Sequence, residues 1–482
     1  MKRVVIVGGG IAGLAAAYRL TQTAPDLAVS LLEGEARLGG KIVTERVDGF
    51  VIEGGPDSFL SLKPRGLGLC HDLGLEDRLH GTNTAIHRTY VVRGRRLHEL
   101  PEGLTGLIPT RLGPMARSGL ISPAGKLRMG LDYVIPPRSA DGDESVAAFV
   151  ERRLGREVYD HLIEPLLSGI YAGEGAELSL AATFPQLRQS ERDSGGLIKG
   201  MLAARRKVPA PNPNGKPRAA FLTPTTGLAE IVEALEARLS SIEILRGTSV
   251  LSLEPTSLGY RVRLANGDNR EAEAVILATP AFVTAELVAG LDEPLADALR
   301  GIPYVSTATV SVAFPLADIP RPLDGYGYLI PRAENRPILA CTWTSTKFPH
   351  RAPEGFGLIR AFIGRAGQQD VLDQDDEALV ALVCEEMRRV LGIGVPPLLQ
   401  RLFRWPRAMP QYTLGHLGRL ATIEQRLVGR PGLFVAGSAY RGIGLPDCIH
   451  SGEQAAEAAL KFLLDSELAA GQVSDRRIEI GG

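Results

Sequence analysis

The chain has 482 residues, 44% hydrophobic and 23% charged, and its 54 basic and 55 acidic side chains leave a formal charge of −1. That length is more than one hydrophobic core sustains and implies two or three domains, while the near-neutral balance offers no electrostatic footprint for nucleic acid. Cys70, Cys341, Cys384 and Cys448 lie far apart in the chain, a spacing that suits neither a zinc site nor a disulfide framework, so reduced and mostly buried thiols are expected.

Val4–Val7 is a continuous apolar run, as expected of a parallel strand covered on both faces. Met1-Lys2-Arg3 leads straight into it, so no signal peptide is expected. The longest apolar run, Val4–Tyr18, is broken by four glycines and is shorter than the ~20 residues of a membrane span. The expected location is the cytoplasm, at most peripheral to a membrane, with no transmembrane segment. A helix is predicted over Ile11–Thr21, then a second strand in "DLAVSLLEGEA" that ends at Glu33. Residues 63–168 read as mostly helical, interrupted by loops such as "PPRSADGDE". "KVPAPNPNGKPR", residues 207–218, has four prolines and two asparagines and reads as a surface linker. "TTGLAEIVEALEARL" then carries apolar residues at helical spacing, and "IEILRGTSVLSLE", "YRVRLANG" and "AEAVILATP" read as strands, with Asn266-Gly267 suited to a hairpin. From Pro303 to Arg404, segments such as "TATVSVAF" and "GLIRAFIG" predict a mixed or antiparallel sheet. A last strand, glycine-rich turn and helix occupy "FVAGSAYRGIGLPDCIHSGEQAAEAALKFL", residues 434–463.

Gly8, Gly10 and Gly13 form GxGxxG between the first strand and helix. Gly8 allows the tight turn, Gly10 lets a pyrophosphate approach the backbone, and Gly13 lets helix and strand pack closely. Gly9, Ile11 and Ala12 complete the turn, and the free N–H groups and dipole of the helix N-terminus favour the phosphates. Glu33 ends the next strand twenty residues beyond Gly13, where it would accept hydrogen bonds from ribose hydroxyls; an acid there disfavours a 2′-phosphate and hence NADP.

"EARLGGKIVT" separates FAD from NAD. Gly34 opens this loop, and Gly39-Gly40 between Arg37 and Lys41 resembles the phosphate-contacting motif of the flavin monoamine-oxidase superfamily, in which a second loop closes over the pyrophosphate of FAD. FAD is long, and the second glycine turn suits its far end. Reduced flavin carries negative charge near its N1–C2=O edge, which a helix N-terminus would stabilise. Gly442 and Gly444 allow close backbone approach, Pro446 suits the first helical position and Asp447 the first turn. Gly437, Ile443, Gly444 and Leu445 are therefore read as the flavin-end cradle.

With these motifs in place the chain resembles the protoporphyrinogen and coproporphyrinogen oxidases of haem biosynthesis, from Lys2 to about Leu464. The distinctive stretches are "EGGPDSFL" (53–60), "LIEPLLSGIYAGEGAELSLAATFPQL" (162–187), "CTWTSTKFPHRAPEG" (341–355), "RWPRAMPQYTLGH" (404–416) and "GIGLPDCI" (442–449). Amine oxidases share the two glycine turns but not these internal stretches. The resemblance implies an α/β fold in which residues 1–62, 219–285 and 418–465 make a discontinuous Rossmann-like FAD domain. Residues 63–168 would make a mainly helical domain, 169–206 and 286–417 a mixed-sheet substrate domain, and 466–482 a C-terminal tail.

It further implies FAD contacts at Gly55, Pro56, Asp57 and Ser58, at Val250 beside the adenine, and at Trp405 near the flavin. The implied reaction removes hydrides from the saturated methylene bridges of a porphyrinogen, with FAD as acceptor and O2 as reoxidant. The stretches look most like those of the soluble Gram-positive-type enzymes acting on coproporphyrinogen III; protoporphyrinogen IX is the alternative substrate, and another FAD amine oxidase or desaturase the more distant reading. Gly169 matches the glycine whose backbone faces the substrate, and Arg88 falls near a propionate-binding arginine of some members. The sequence also offers Arg93, Arg95, Arg96, Lys347, Arg351, Arg360 and Arg365 as basic residues from which propionate-binding cations could come, without saying which of them line the pocket. Asp57, asparagine in plant-type members, is the one candidate side chain for catalysis, through substrate N–H groups. No metal is expected, His416 and His450 are read as structural or surface residues, and "GLTGLIPTRLGPMARSGLI" is the segment that could touch a membrane surface. Ferrochelatase, the next enzyme of the pathway, is the expected protein partner.

Overall fold

The computed structural model describes residues 2–480 apart from 87, 95, 102–103, 106–107, 110–111, 141 and 208–218. Arg95, nearly all of the linker at 207–218, part of the candidate membrane-contacting segment and the last two residues of the tail thus lie outside the described residues.

Five parallel strands run in the order Glu243–Leu245, Ala28–Leu32, Arg3–Val7, Ala274–Leu277 and Leu433–Val435. The unbroken apolar run of the first strand is explained by its two covered faces. Val4 and Ile6 pack with Ala274 and Ile276 under the helices Ile11–Thr23, Ala229–Arg238 and Leu445–Ile480. Val5 and Val7 pack on the opposite face with Leu277, the hairpin residues Tyr260 and Val262, and the helices Ala281–Val288 and Glu293–Arg300. The predicted hairpin joins Tyr260–Leu264 to Asn269–Ala272. The first and last helices meet backbone to backbone: a Cβ on Gly452 would lie 2.0 Å from the carbonyl oxygen of Ala12. The last helix is one element from Leu445 to Ile480, so most of the expected tail continues it.

The second sheet has seven strands, in the order Leu399–Pro410, Tyr304–Pro315, Phe356–Ile363, Ile338–Trp343, Gly327–Leu329, Tyr90–Arg93 and Arg96–Glu99. All pairs are antiparallel except Gly327–Leu329 with Tyr90–Arg93. The region 63–168 is therefore less helical than the sequence suggests. Tyr90-Val91-Val92 is a buried run of aromatic and β-branched residues that alternates between two cores: Val91 joins the helical cluster, while Tyr90 and Val92 join the core of this sheet. Residues 180–206, expected with the sheet, are instead largely helical, and Leu180, Phe184, Leu187 and Leu197 pack with Phe149, Leu162 and Leu167. Their apolar spacing needs a helical partner, which Val146–Leu154 and Glu164–Tyr171 provide. Among the described residues no helix is long and apolar enough to cross a membrane, and no cluster of side chains could hold a metal. Cys70, Cys341 and Cys448 are buried, Cys384 is half-buried, and all four are free.

Candidate functional site

Gly10 caps the first helix without a side-chain bond. A Cβ on Gly13 would sit 1.9 Å from the carbonyl oxygen of Gly8, so helix and strand touch there; a Cβ on Gly10 would meet nothing nearer than the Gly40 Cα at 4.0 Å. The second loop lies along the first, with Gly39 N–H donating to the Gly9 carbonyl at 2.8 Å. The two glycine backbones thus face each other at Gly10 and Gly40 and form a cradle. Glu33 accepts from the amides of Gly9 (2.6 Å) and Glu35 (2.8 Å). Thr248 N–H donates to the Glu33 carbonyl at 2.8 Å, and a Cβ on Gly34 would meet Ser249 Oγ at 3.2 Å. Glu33, Gly34 and Val250 therefore gather at one end of the cradle, although more than two hundred residues separate Val250 from the other two in the chain.

Arg37 does not extend over the cradle. Its guanidinium donates to the carbonyls of Gly40 (2.6 Å), Ile42 (3.2 Å) and Leu38 (3.3 Å), and so braces its own loop. Lys41 points inward, donates to the carbonyl of Ala408, and has its pKa lowered by burial. It meets no carboxylate among the described residues. The glycine backbone of the two loops, which leaves room at Gly10, and the free N–H groups of the helix N-terminus fit a pyrophosphate-bearing cofactor.

Strand Phe50–Glu53 runs into Gly54 and Gly55, the latter packed so closely that a Cβ would lie 1.8 Å from the Lys41 carbonyl. The Gly54 carbonyl accepts from Trp405 Nε1 (2.8 Å), Thr309 Oγ1 (2.9 Å) and Arg360 Nη2 (3.1 Å). Beyond Pro56, the Asp57 carboxylate accepts from Lys347 Nζ at 2.9 Å and Ser58 Oγ at 2.6 Å. Burial alone would raise its pKa, but Lys347 and Arg360 outweigh burial and hold it well below the usual carboxylate range. Asp57 is thus an anion and a hydrogen-bond acceptor, a weak base at neutral pH.

The second glycine turn is tied down from outside. Tyr412 accepts from Gly442 N–H and donates to the Ser438 carbonyl, both at 2.7 Å, and stacks on His416 with ring centroids 4.2 Å apart. His416 is buried against the Tyr440 carbonyl and burial lowers its pKa, so its role is structural, while His450 is exposed. Gly437 has φ +120° and space where a Cβ would be. Asp447 does more than complement the helix dipole: it accepts from Gly444 N–H at 3.2 Å and from Lys63 Nζ at 2.7 Å, fixing the turn Ile443-Gly444-Leu445.

Gly169 is exposed on helix Glu164–Tyr171, and a Cβ there would meet only Leu329, at 3.5 Å. Leu166, Leu329 and Ile443 pack on the same helical cluster, which brings this helix, the mixed sheet and the second glycine turn together. Arg88 is exposed and paired with Asp324 at 3.1 Å. Arg351, Arg360 and Arg365 are 1–3% exposed. Arg351 binds Glu53 at 2.7 Å, Arg360 the Gly54 and Gly55 carbonyls, and Arg365 the Ile330 carbonyl and Gln368. Arg93 donates to the Leu120 carbonyl at 2.6 Å. Charged groups inside the protein need internal partners, which disqualifies the buried three as pocket-mouth cations. Glu53 and Tyr412 are the site residues that sequence reasoning did not single out, and Lys347, read there only as one of several cations, pairs with Asp57; all three lie inside motifs already quoted, but nothing local marks them as partners.

A family model described as flavin containing amine oxidoreductase matches residues 11–460. The chain is 38% identical over 467 residues to the coproporphyrinogen III oxidase of Bacillus subtilis (strain 168), covering 96% of this chain and 98% of that protein. It is 33% identical over 487 residues to protoporphyrinogen oxidase 1, chloroplastic, of Arabidopsis thaliana, covering 95% and 88%. A crystal structure from Exiguobacterium sp. 255-15 matches with a TM-score of 0.83 at 34% identity, covering 95% of this chain and 98% of that one.

Proposed function

This chain belongs to the flavin-containing amine oxidoreductase family, and from that premise we propose that it is a coproporphyrinogen III oxidase, converting coproporphyrinogen III and three O2 to coproporphyrin III and three H2O2. The observation that carries this reading is the end-to-end identity with the Bacillus protein, which spans the mixed sheet as well as the glycine turns. Protoporphyrinogen IX oxidation is the second reading, favoured by the plant relative.

The helix N-terminus at Gly10, with Gly8, Gly9, Gly13, Gly39, Gly40 and Lys41, would hold the pyrophosphate of FAD, and Glu33 and Val250 the adenosine end. Gly55–Ser58, Trp405, Gly437 and Ile443–Leu445 would border the flavin. Bound there, FAD supplies a two-electron acceptor for a hydride from a methylene bridge and returns those electrons to O2. The chain's own contribution is to position and to set charge. Gly169, without a side chain, lets the flat macrocycle approach helix Glu164–Tyr171, and Leu329 and Ile443 supply apolar wall that keeps water from it. Asp57, kept ionised by Lys347, accepts hydrogen bonds from pyrrolic N–H groups without removing their protons. The domain boundaries follow the two sheets, with the helical unit extending to residue 207. The enzyme would act in the cytoplasm, at most touching a membrane surface, and hand its porphyrin to ferrochelatase.

The test is kcat/KM for both porphyrinogens without detergent, followed by porphyrin fluorescence. Coproporphyrinogen III is expected to be preferred; a tenfold preference for protoporphyrinogen IX overturns the assignment.

A further inference from the structure

Five charged side chains converge behind Gly54 and Gly55. Glu53 and Arg351 pair at 2.7 Å, and their side chains are 2% and 1% exposed; Asp57 and Lys347 pair at 2.9 Å, with 18% and 14% exposed. Arg360, 3% exposed, has no carboxylate within ion-pair distance among the described residues and donates to the Gly54 and Gly55 carbonyls. Glu53, Asp57, Arg351 and Arg360 line one cavity of about 10 Å³, together with Ser311 and Thr344. Into this region Arg351 and Arg360 each bring a buried Nε that lacks a hydrogen-bond partner in the structure. Three cations against two carboxylates leave one surplus positive charge in a region with little water to screen it. Removing only one member of a buried ion pair is strongly destabilising, so an uncompensated buried cation calls for a negative group nearby.

A flavin held in the cradle would supply one once reduced. Gly55 abuts Lys41, Lys41 follows the Gly40 that faces Gly10, and Trp405 is hydrogen-bonded to the same Gly54 carbonyl as Arg360. A hydride accepted by neutral oxidised flavin brings two electrons and one proton as the substrate C–H bond breaks. It therefore leaves one net negative charge on the cofactor, until O2 takes the two electrons and, with that proton and one from solvent, becomes H2O2.

We infer that the cluster of Glu53, Asp57, Lys347, Arg351 and Arg360 stabilises the reduced, anionic state of bound FAD, with Arg360 the positioning residue that joins the charge cluster to the cofactor wall at Gly54 and Gly55. This rests on FAD occupying the cradle and not on which porphyrinogen is oxidised.

The experiment is a spectroelectrochemical titration of the holoenzyme with no porphyrinogen present, so that failure of the substrate assignment leaves it intact. Lys347→Met and Arg360→Met each remove a positive charge and should shift the flavin equilibrium towards the oxidised form by about tenfold, or about 30 mV for a two-electron couple. Asp57→Asn removes a negative charge and should shift it by a similar factor towards the reduced form. Arg360→Lys keeps the charge and should stay near the wild-type potential. Opposite signs from substitutions at one cluster are not produced by loosened packing. If Arg360→Met does not retain FAD, the pair Lys347→Met and Asp57→Asn decides alone. Unchanged potentials in FAD-loaded variants, or shifts of the same sign for Asp57→Asn and Lys347→Met, overturn the inference.

Discussion

Replacing Gly10 and Gly13 by valine, one at a time, separates two jobs done within a single glycine fingerprint. Gly10 has φ −70° and ψ 175°, an extended conformation open to any residue, and the nearest atom to its added Cβ is the Gly40 Cα at 4.0 Å. The unliganded fold should therefore lose no more than about 1 kcal/mol, the cost of a poorer helix cap. The valine methyl groups, however, occupy the space a pyrophosphate needs. At Gly13 the Cβ would lie 1.9 Å from the Gly8 carbonyl oxygen and 3.3 Å from the Ala278 Cβ. The nearest obstacle is backbone, which cannot swing aside, so the helix must move off the sheet at a cost of about 3 kcal/mol, the upper end for overpacking. The assay is FAD content by visible absorbance after gel filtration, with thermal melts of the apoproteins. Gly10→Val should melt with the wild-type apoprotein and carry no FAD. Gly13→Val should melt about 6 °C lower, taking roughly 2 °C per kcal/mol. Full FAD occupancy in Gly10→Val, or an apoprotein as damaged as Gly13→Val, would refute the open-cradle reading.

Tyr412→Phe should cost about 2 kcal/mol, because Gly442 N–H and the Ser438 carbonyl both lose their partner. It should also weaken FAD retention; a variant that melts and binds FAD as wild type does would show that the tie to the second glycine turn is dispensable. His350, stacked on His80 with centroids 4.2 Å apart, has its pKa lowered from 6.5 to about 4, first by burial and then by His80 and Arg351. Because the unfolded chain takes up that proton first, this stability is present above about pH 6.5 and is lost as pH falls towards 4, amounting to about 2 kcal/mol at pH 5. His350→Asn should therefore lose less stability than wild type between pH 7 and pH 5 in thermal melts, and equal losses would exclude His350 as the cause.

Much of the cofactor side was legible because its signals are local. A glycine spacing, an apolar run and an acid at the end of the next strand are each encoded within a few residues, and the structure assembles them around one cradle. Arg37 illustrates the limit even there: its position in the loop was readable, but three carbonyls of that loop capture the guanidinium. In the strand Tyr90–Arg93 the buried residues are Tyr90, Val91 and Val92, although the basic residues around them suggest a solvated surface.

The sequence by itself determined the parallel sheet, the two glycine turns, the Glu33 end of the cradle and the family resemblance, because strand periodicity and turn stereochemistry depend on nearest neighbours along the chain. Only the tertiary structure decided the fate of the charges. In the sequence Arg88, Lys347, Arg351 and Arg360 are indistinguishable cations. In the folded chain Arg88 stays at the surface with Asp324, while Lys347 finds Asp57 from 290 residues away and Arg351 finds Glu53 from 298. Those pairings follow from strand register and from which sheet faces which, and a buried charge has no stable position until that register supplies its partner.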